Sequence, residues 1–149
     1  MSGSFNALTP DLAKELLNFL YGTASRQSVL LLGPPGIGKS ALVRETAEEI
    51  SQKKGCILLD YNSRHLARID LNEVYEHPER HFVFVDLRLT ETEPVDLMGR
   101  PVTVRVGDLP QFVYQPPQWA SLLSVVPGNL FLDEITNVHR PDVLAAAYK

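Results

Sequence analysis

Residues Gly33 to Ser40 read Gly-Pro-Pro-Gly-Ile-Gly-Lys-Ser, a complete GxxxxGK[ST] pattern set between an apolar run and a helix-like run. No other stretch restricts the fold as strongly. Glycines at Gly36 and Gly38 let the backbone curl with its N–H groups pointing inward and no Cβ in the way, which is how a chain wraps phosphates. Lys39 adds a point charge for the β and γ phosphates, Ser40 a hydroxyl for Mg²⁺, and the helix that follows an N-terminus with partial positive charge. Ser28-Val29-Leu30-Leu31-Leu32 is a short continuous apolar run, as a buried parallel strand would be. Leu42, Val43, Ala47 and Ile50 recur near helical spacing, with Arg44, Glu45, Glu48 and Glu49 on the other face. The candidate nucleotide contacts are Gly33, Pro34, Pro35, Gly36, Ile37, Gly38, Lys39, Ser40 and the adjoining Ala41. The plain alternative is a glycine- and proline-rich turn that joins strand to helix and holds nothing.

At 149 residues, 44% of them hydrophobic, the chain is long enough for one domain with one substantial core. A formal net charge of -4 gives no general attraction to nucleic acid or anionic lipid, so nucleic-acid binding is unsupported. The single Cys56 cannot form an internal disulfide, and its place at the head of Cys56-Ile57-Leu58-Leu59 reads as a buried structural thiol. No apolar run approaches the roughly 18 residues that span a bilayer, and the N-terminus lacks the form of a secretory signal. The expected setting is cytoplasmic, with no membrane segment.

Thr9-Pro10-Asp11 predicts a helix start with Thr9 as N-cap, backed by Leu12, Leu16, Leu17 and Leu20 and ending near Gly22. Lys53-Lys54-Gly55 supplies a basic last turn and a stop for the helix after the glycine loop. Cys56 to Asp60 predicts a short strand, Asp70 to Tyr75 one or two helical turns, and His81-Phe82-Val83-Phe84-Val85-Asp86-Leu87 a second apolar strand. Thr90 to Leu97 reads as a polar, acidic connection. Alternation at Val102, Val104 and Val106, a turn at Gly107-Asp108 and then Phe112-Val113-Tyr114 predict a β-hairpin. Trp119 to Val125 is helix-compatible, and Pro141 to Tyr148 begins another helix.

Asn129-Leu130-Phe131-Leu132-Asp133-Glu134 is an apolar strand ending in adjacent carboxylates, the form of a Walker B motif. At the carboxyl end of such a strand the first carboxylate, Asp133, reaches a Mg²⁺ held by Ser40. The second, Glu134, orients or deprotonates a water facing the γ-phosphate. Phosphoryl transfer asks for little beyond positioning and electrostatic stabilisation, so Lys39, Ser40, Asp133, Glu134 and the loop amides suffice for a hydrolytic core.

Together with the Leu89-Thr90-Glu91-Thr92-Glu93-Pro94-Val95-Asp96-Leu97-Met98-Gly99-Arg100-Pro101 stretch and Phe131-Leu132-Asp133-Glu134-Ile135-Thr136-Asn137, these motifs resemble the MoxR-like group of AAA+ ATPases. The resemblance runs from about Leu8 to Lys149. It implies an α/β fold of the P-loop NTPase, AAA+ type: a parallel sheet flanked by helices, with the Val102–Tyr114 hairpin as an insertion. It implies ATP and Mg²⁺ as cofactors and ATP-driven remodelling of partner proteins. By the same analogy the chain works in a hexameric ring, often beside a von Willebrand factor A domain protein, and the hairpin faces a substrate or the ring pore. Against the group's pattern the chain is incomplete at its C-terminus, without the later strands, the first sensor, the arginine finger and the helical lid. A strand that normally lies between the loop strand and the Walker B strand is among them. The expectation is that the sheet re-pairs or the loop strand loses its neighbours, exposing apolar surface, and that this chain hydrolyses ATP poorly.

Two other readings stay open. One is a nucleotide-dependent binding module with little hydrolysis. The other is a different AAA+ branch, such as a GTP-using or chelatase-type motor; a transcriptional activator is disfavoured by the absence of Gly-Ala-Phe-Thr-Gly-Ala. Arg140, just past the carboxylates, is either a helix-start arginine or a contact to phosphate or a neighbouring subunit. His65, His77, His81 and His139 read as surface or capping residues, and Trp119 as a packing anchor.

Overall fold

The computed structural model describes residues 7–23 and 27–147, which divide into two compact units, Met1–Leu58 and Leu59–Lys149. In the first, α1 (Pro10–Gly22) begins as its sequence predicts: the Thr9 hydroxyl accepts from the Leu12 N–H at 3.3 Å and Pro10 takes the first helical position. α2 (Lys39–Lys54) stops at Gly55, which adopts φ +65°; the Gly55 and Cys56 N–H groups donate to the carbonyls of Gln52 and Ser51. That is the left-handed cap a glycine permits at least cost. Lys14 joins the two helices, its ammonium 3.0 Å from Glu45 and 2.6 Å from Glu49, while the Asn18 amide donates to Glu49 at 2.7 Å. These partners hold the Lys14 ammonium above its ordinary pKa, and Lys14 and Asn18 hold the Glu49 carboxyl below its own. Leu17, Ala47 and Ile50 are buried.

One strand expectation fails. Residues 27–34 form no strand, and Leu30 and Leu32 are 64% and 75% exposed. A strand exists through its ladder, and this run finds no ladder partner among the described residues. Of the two outcomes foreseen for the sheet, the loop run loses its neighbours and leaves apolar side chains in water.

β1 (Ile57–Asp60) edges a three-stranded sheet of order β1-β2-β5, with β2 at His81–Arg88 and β5 at Gly128–Asp133. β2 and β5 run parallel, Val83 opposite Gly128 through Arg88 opposite Asp133. The first five residues of β2 are buried, so both its faces are covered, as a central parallel strand requires. On one face Val83 and Val85 meet Leu59, Val74 of α3 (Leu71–Glu76), and Leu122 and Val126 at the end of α5 (Gln118–Val125). Trp119 packs against this cluster and donates its indole N–H to the Asp96 carbonyl at 2.7 Å, the anchoring role expected of it. Gly128 admits no side chain, since a Cβ there would stand 2.2 Å from the Val83 carbonyl oxygen.

Thr90 to Leu97 holds more structure than its polarity suggests. α4 (Pro94–Met98) is fixed by a capping box in which Glu93 and Asp96 exchange side-chain and backbone bonds. α6 (Pro141–Ala147) packs against α4. Of the two readings of His81, surface or capping, the structure shows capping: it is buried, closes the short 3₁₀ turn Pro78–Arg80 and sets Nδ1 3.0 Å from the His77 carbonyl oxygen. Cys56 is only partly buried.

The hairpin is present as β3 (Arg100–Val106) and β4 (Leu109–Gln115), an antiparallel pair separate from the main sheet. Gly107 takes φ +62° at the first position of its two-residue turn, as a type II′ turn demands. The pair next to such a turn, Val106 and Leu109, exchanges hydrogen bonds, and pairs alternate from there. Pro101 and Pro110 therefore fall where the missing N–H would have pointed outward, the place a sheet tolerates proline.

Candidate nucleotide-binding site

In the first unit, the backbone turns at Pro35-Gly36, bends at Ile37-Gly38 and enters α2 at Lys39. Gly36 and Gly38 adopt φ +79° and +86°, and a Cβ at either would meet nothing within 4 Å. Left-handed backbone, rather than crowding, is what requires glycine here. Gly38 is the N-cap of α2 and offers no side-chain cap, and the first turn carries no acid. A helix start of this kind leaves its N–H groups and dipole to an anion. The Lys39 ammonium reaches back across the loop, donating to the carbonyls of Gly33 and Pro34 at 2.9 Å each. Both carbonyl contacts are the kind a phosphate oxygen would exchange for a stronger, charge-assisted one.

In the second unit, the parallel register brings Arg88 beside Asp133 and ends β2 and β5 at one edge of the sheet, the edge where parallel α/β sheets carry their sites. Asp133 Oδ1 accepts from the Glu134 N–H at 2.9 Å. Glu134 has φ 60° and ψ 30°, the sole non-glycine residue with positive φ among those described. For a glutamate this backbone is strained by about 1–3 kcal/mol, a cost that clusters at functional positions. The Thr90 hydroxyl donates to Glu134 Oε2, so the carboxylate is held at its backbone and at its tip.

The guanidinium of Arg88 donates to Glu91 Oε1 at 3.1 Å, and Glu91, then Glu134 and Asp133, raise its pKa. Arg140 donates to Glu93 Oε1 at 2.7 Å and to Asp142 Oδ2 at 2.8 Å, both exposed pairs. Arg140 stands just ahead of α6, where two carboxylates engage it: Asp142 and Glu93 raise its pKa, and it in turn lowers that of Asp142.

Read from the sequence, Thr90 falls in a polar, acidic connection and Arg88 has no role, yet both stand beside the carboxylates. The signal was present, because residues that close one parallel strand lie beside those that close its neighbour.

A sequence model of the AAA domain (dynein-related subfamily) matches residues 28–148, which takes in the loop, both strand ends and the hairpin. The chain belongs to this AAA family. Its α/β architecture, a three-stranded sheet flanked by helices, is consistent with a P-loop NTPase of that kind. No curated protein and no solved structure matches the chain. Family membership carries the general expectation of nucleotide-dependent ATPase activity in a domain that commonly oligomerises. No described helix is long and apolar enough to cross a membrane.

Proposed function

We propose that these residues form part of a nucleotide-binding core that binds Mg²⁺-ATP in the Gly33–Ser40 loop and hydrolyses it, with Lys39 and Glu134 as the catalytic side chains. The observation that carries this reading is the loop itself: two left-handed glycines, a lysine folded over the loop carbonyls, and a helix start without a side-chain cap or first-turn acid. Backbone amides from Gly33 to Ala41, with Pro34, Pro35 and Ile37 shaping the curl, surround the phosphates. Lys39 exchanges its carbonyl partners for phosphate oxygens.

Ser40 and Asp133 are the donors we assign to the metal. Among the described residues no group of three or more His, Cys, Asp or Glu side chains forms a dedicated metal cage. A hydroxyl and a carboxylate are hard oxygen donors that suit Mg²⁺, which keeps several waters and takes one or two protein oxygens beside the phosphates. When bound, the metal supplies charge neutralisation for the transferring phosphoryl group. Glu134 orients the attacking water, and the Thr90 hydroxyl fixes where its carboxylate stands.

The resemblance to the MoxR-like group carries the reading one step further, to remodelling of a partner protein by a hexameric ring with a von Willebrand factor A domain companion. A cytoplasmic setting goes with it. Titrating Mg²⁺-ATP, with GTP as competitor, tests the site. Lys39→Ala removes a charged partner of the phosphates, a loss of about 2–5 kcal/mol, or roughly 30-fold or more in affinity. Equal affinity for Lys39→Ala and wild type would sink the assignment.

A further inference from the structure

Three carboxylates surround one guanidinium where β2 and β5 end, and the one it takes decides what the other two can do. Arg88 closes β2 opposite Asp133 on β5, and Glu134 follows Asp133 directly. Register partners on neighbouring strands stand about 4.8 Å apart with their side chains on one face of the sheet, well within the reach of an arginine. Yet the Arg88 guanidinium donates to neither of these carboxylates and goes to Glu91 Oε1 at 3.1 Å. Glu91 is the first cause of its raised pKa, with Glu134 and then Asp133 acting on it through space. All four residues belong to the second unit. The preference for Glu91 has a local cause. A short 3₁₀ turn, Leu89–Glu91, sets the spacing between the two partners. Leu89 is buried, and the Thr92 hydroxyl just past the turn donates to the Arg88 carbonyl at 2.7 Å. Side chains on a backbone held in this way lose less freedom when they pair. The rival carboxylates are engaged elsewhere: Asp133 Oδ1 accepts from the Glu134 N–H, and Glu134 Oε2 from the Thr90 hydroxyl.

We propose that Glu91 guards the two carboxylates: by holding the Arg88 guanidinium it keeps that cation from closing on Asp133 and Glu134, and leaves both open to Mg²⁺ and water. The sheet end then carries an autoinhibitory contact that is held off in the structure described. With Glu91 neutralised, Arg88 turns to Asp133, where a guanidinium offers two parallel N–H donors to a carboxylate. A cation seated there competes with a metal for the same oxygens. It also draws on Glu134, whose position the Thr90 hydroxyl otherwise fixes. Glu91 is thus a positioning residue that acts through Arg88 and touches neither nucleotide nor metal. Its consequence for Mg²⁺ rests on the nucleotide reading above, whereas the choice that Arg88 makes among carboxylates does not.

The test begins with the full chain free of nucleotide and reads the side-chain N–H resonance of Arg88 by NMR, assigned through its loss in Arg88→Gln. With Glu91 present, Asp133→Asn should move that resonance little. In the Glu91→Gln background the same substitution, or Glu134→Gln in its place, should move it several-fold further, because the guanidinium now rests on those carboxylates. A resonance no more sensitive to Asp133 and Glu134 in Glu91→Gln than in wild type would overturn the proposal. Arg88 and Glu91 are exposed, at 53% and 71% of their side chains, and circular dichroism checks that the variants fold. The second measurement is ATP binding over a Mg²⁺ series. Glu91→Gln should raise the Mg²⁺ concentration at half-saturation by about threefold to fivefold, the upper range for an exposed ion pair. Adding Arg88→Gln to it should restore the wild-type value, a rescue that a merely structural role for Glu91 would not give. A Glu91→Gln chain with the Mg²⁺ dependence of wild type, or one that Arg88→Gln does not rescue, would equally overturn it. Equal ATP affinity for Lys39→Ala and wild type marks instead a failed nucleotide site, and the Arg88 resonance of the nucleotide-free chain still decides whether Glu91 holds the guanidinium away.

Discussion

Glu134 pays a backbone strain that a glycine at the same place would not, and it stays in the left-handed region under the hold of a strand end on one side and a threonine hydroxyl on the other. Removing that hydroxyl leaves the carboxylate chemically intact and free to turn. Thr90→Val is therefore expected to lower kcat by about tenfold to a hundredfold, as 1–3 kcal/mol of lost positioning would, while ATP affinity stays within about twofold. Single-turnover and binding measurements separate the two, and an unchanged kcat would show that Thr90 does not position Glu134. Glu134→Gln should retain ATP and suppress hydrolysis, by about 10² to 10⁴ if it acts as the base. At Glu49 the sign of the pH effect follows from the lowered pKa. Its contribution to stability is present above the ordinary glutamate pKa, about 4.3, and is lost as pH falls through the lower value of the folded state. Acid titration of Glu49→Gln against wild type should show the variant losing less stability below about pH 4; equal losses would mean that Lys14 and Asn18 leave that carboxylate unshifted.

Among the elements, the run from Ser28 to Leu32 is the one whose behaviour departs most from its composition. Every cue for a buried strand is present, yet strand formation depends on neighbours that side-chain pattern cannot supply. Because Leu30 and Leu32 are exposed, Leu30→Ser and Leu32→Ser should each change stability by no more than about 0.5 kcal/mol. Denaturant midpoints decide it: a loss of about 2–5 kcal/mol would mean a buried strand. α4 is the opposite case, an element hidden by its polarity. The capping pair Glu93 and Asp96, with Pro94 between them at the first turn, was a legible helix start that acidic composition disguised. Helix ends were read most faithfully at Thr9 and Gly55, because cap residues act on their own backbone and need no tertiary partner.

For the whole molecule, the second unit holds one buried cluster in which α3, α5 and the strands β1 and β2 meet. Leu122 is completely buried there, and Leu122→Ala should cost about 2–5 kcal/mol. Trp119, the chain's single tryptophan, packs on the same cluster, so its emission during denaturation reads that loss directly. A change below about 0.5 kcal/mol would show that the cluster does not set the stability of this unit. The sequence by itself determined the glycine loop, its lysine, the helix that follows, the carboxylate pair at a strand end and the hairpin with its turn, because each is specified by local chemistry at short range. Only the tertiary structure decided which apolar runs became strands, that Thr90 and Arg88 join the carboxylates, that Arg140 is engaged by Glu93 and Asp142, and that the aromatic face of the hairpin stands in water. Those outcomes depend on which segments find a partner across long stretches of chain, and no local pattern carries that information.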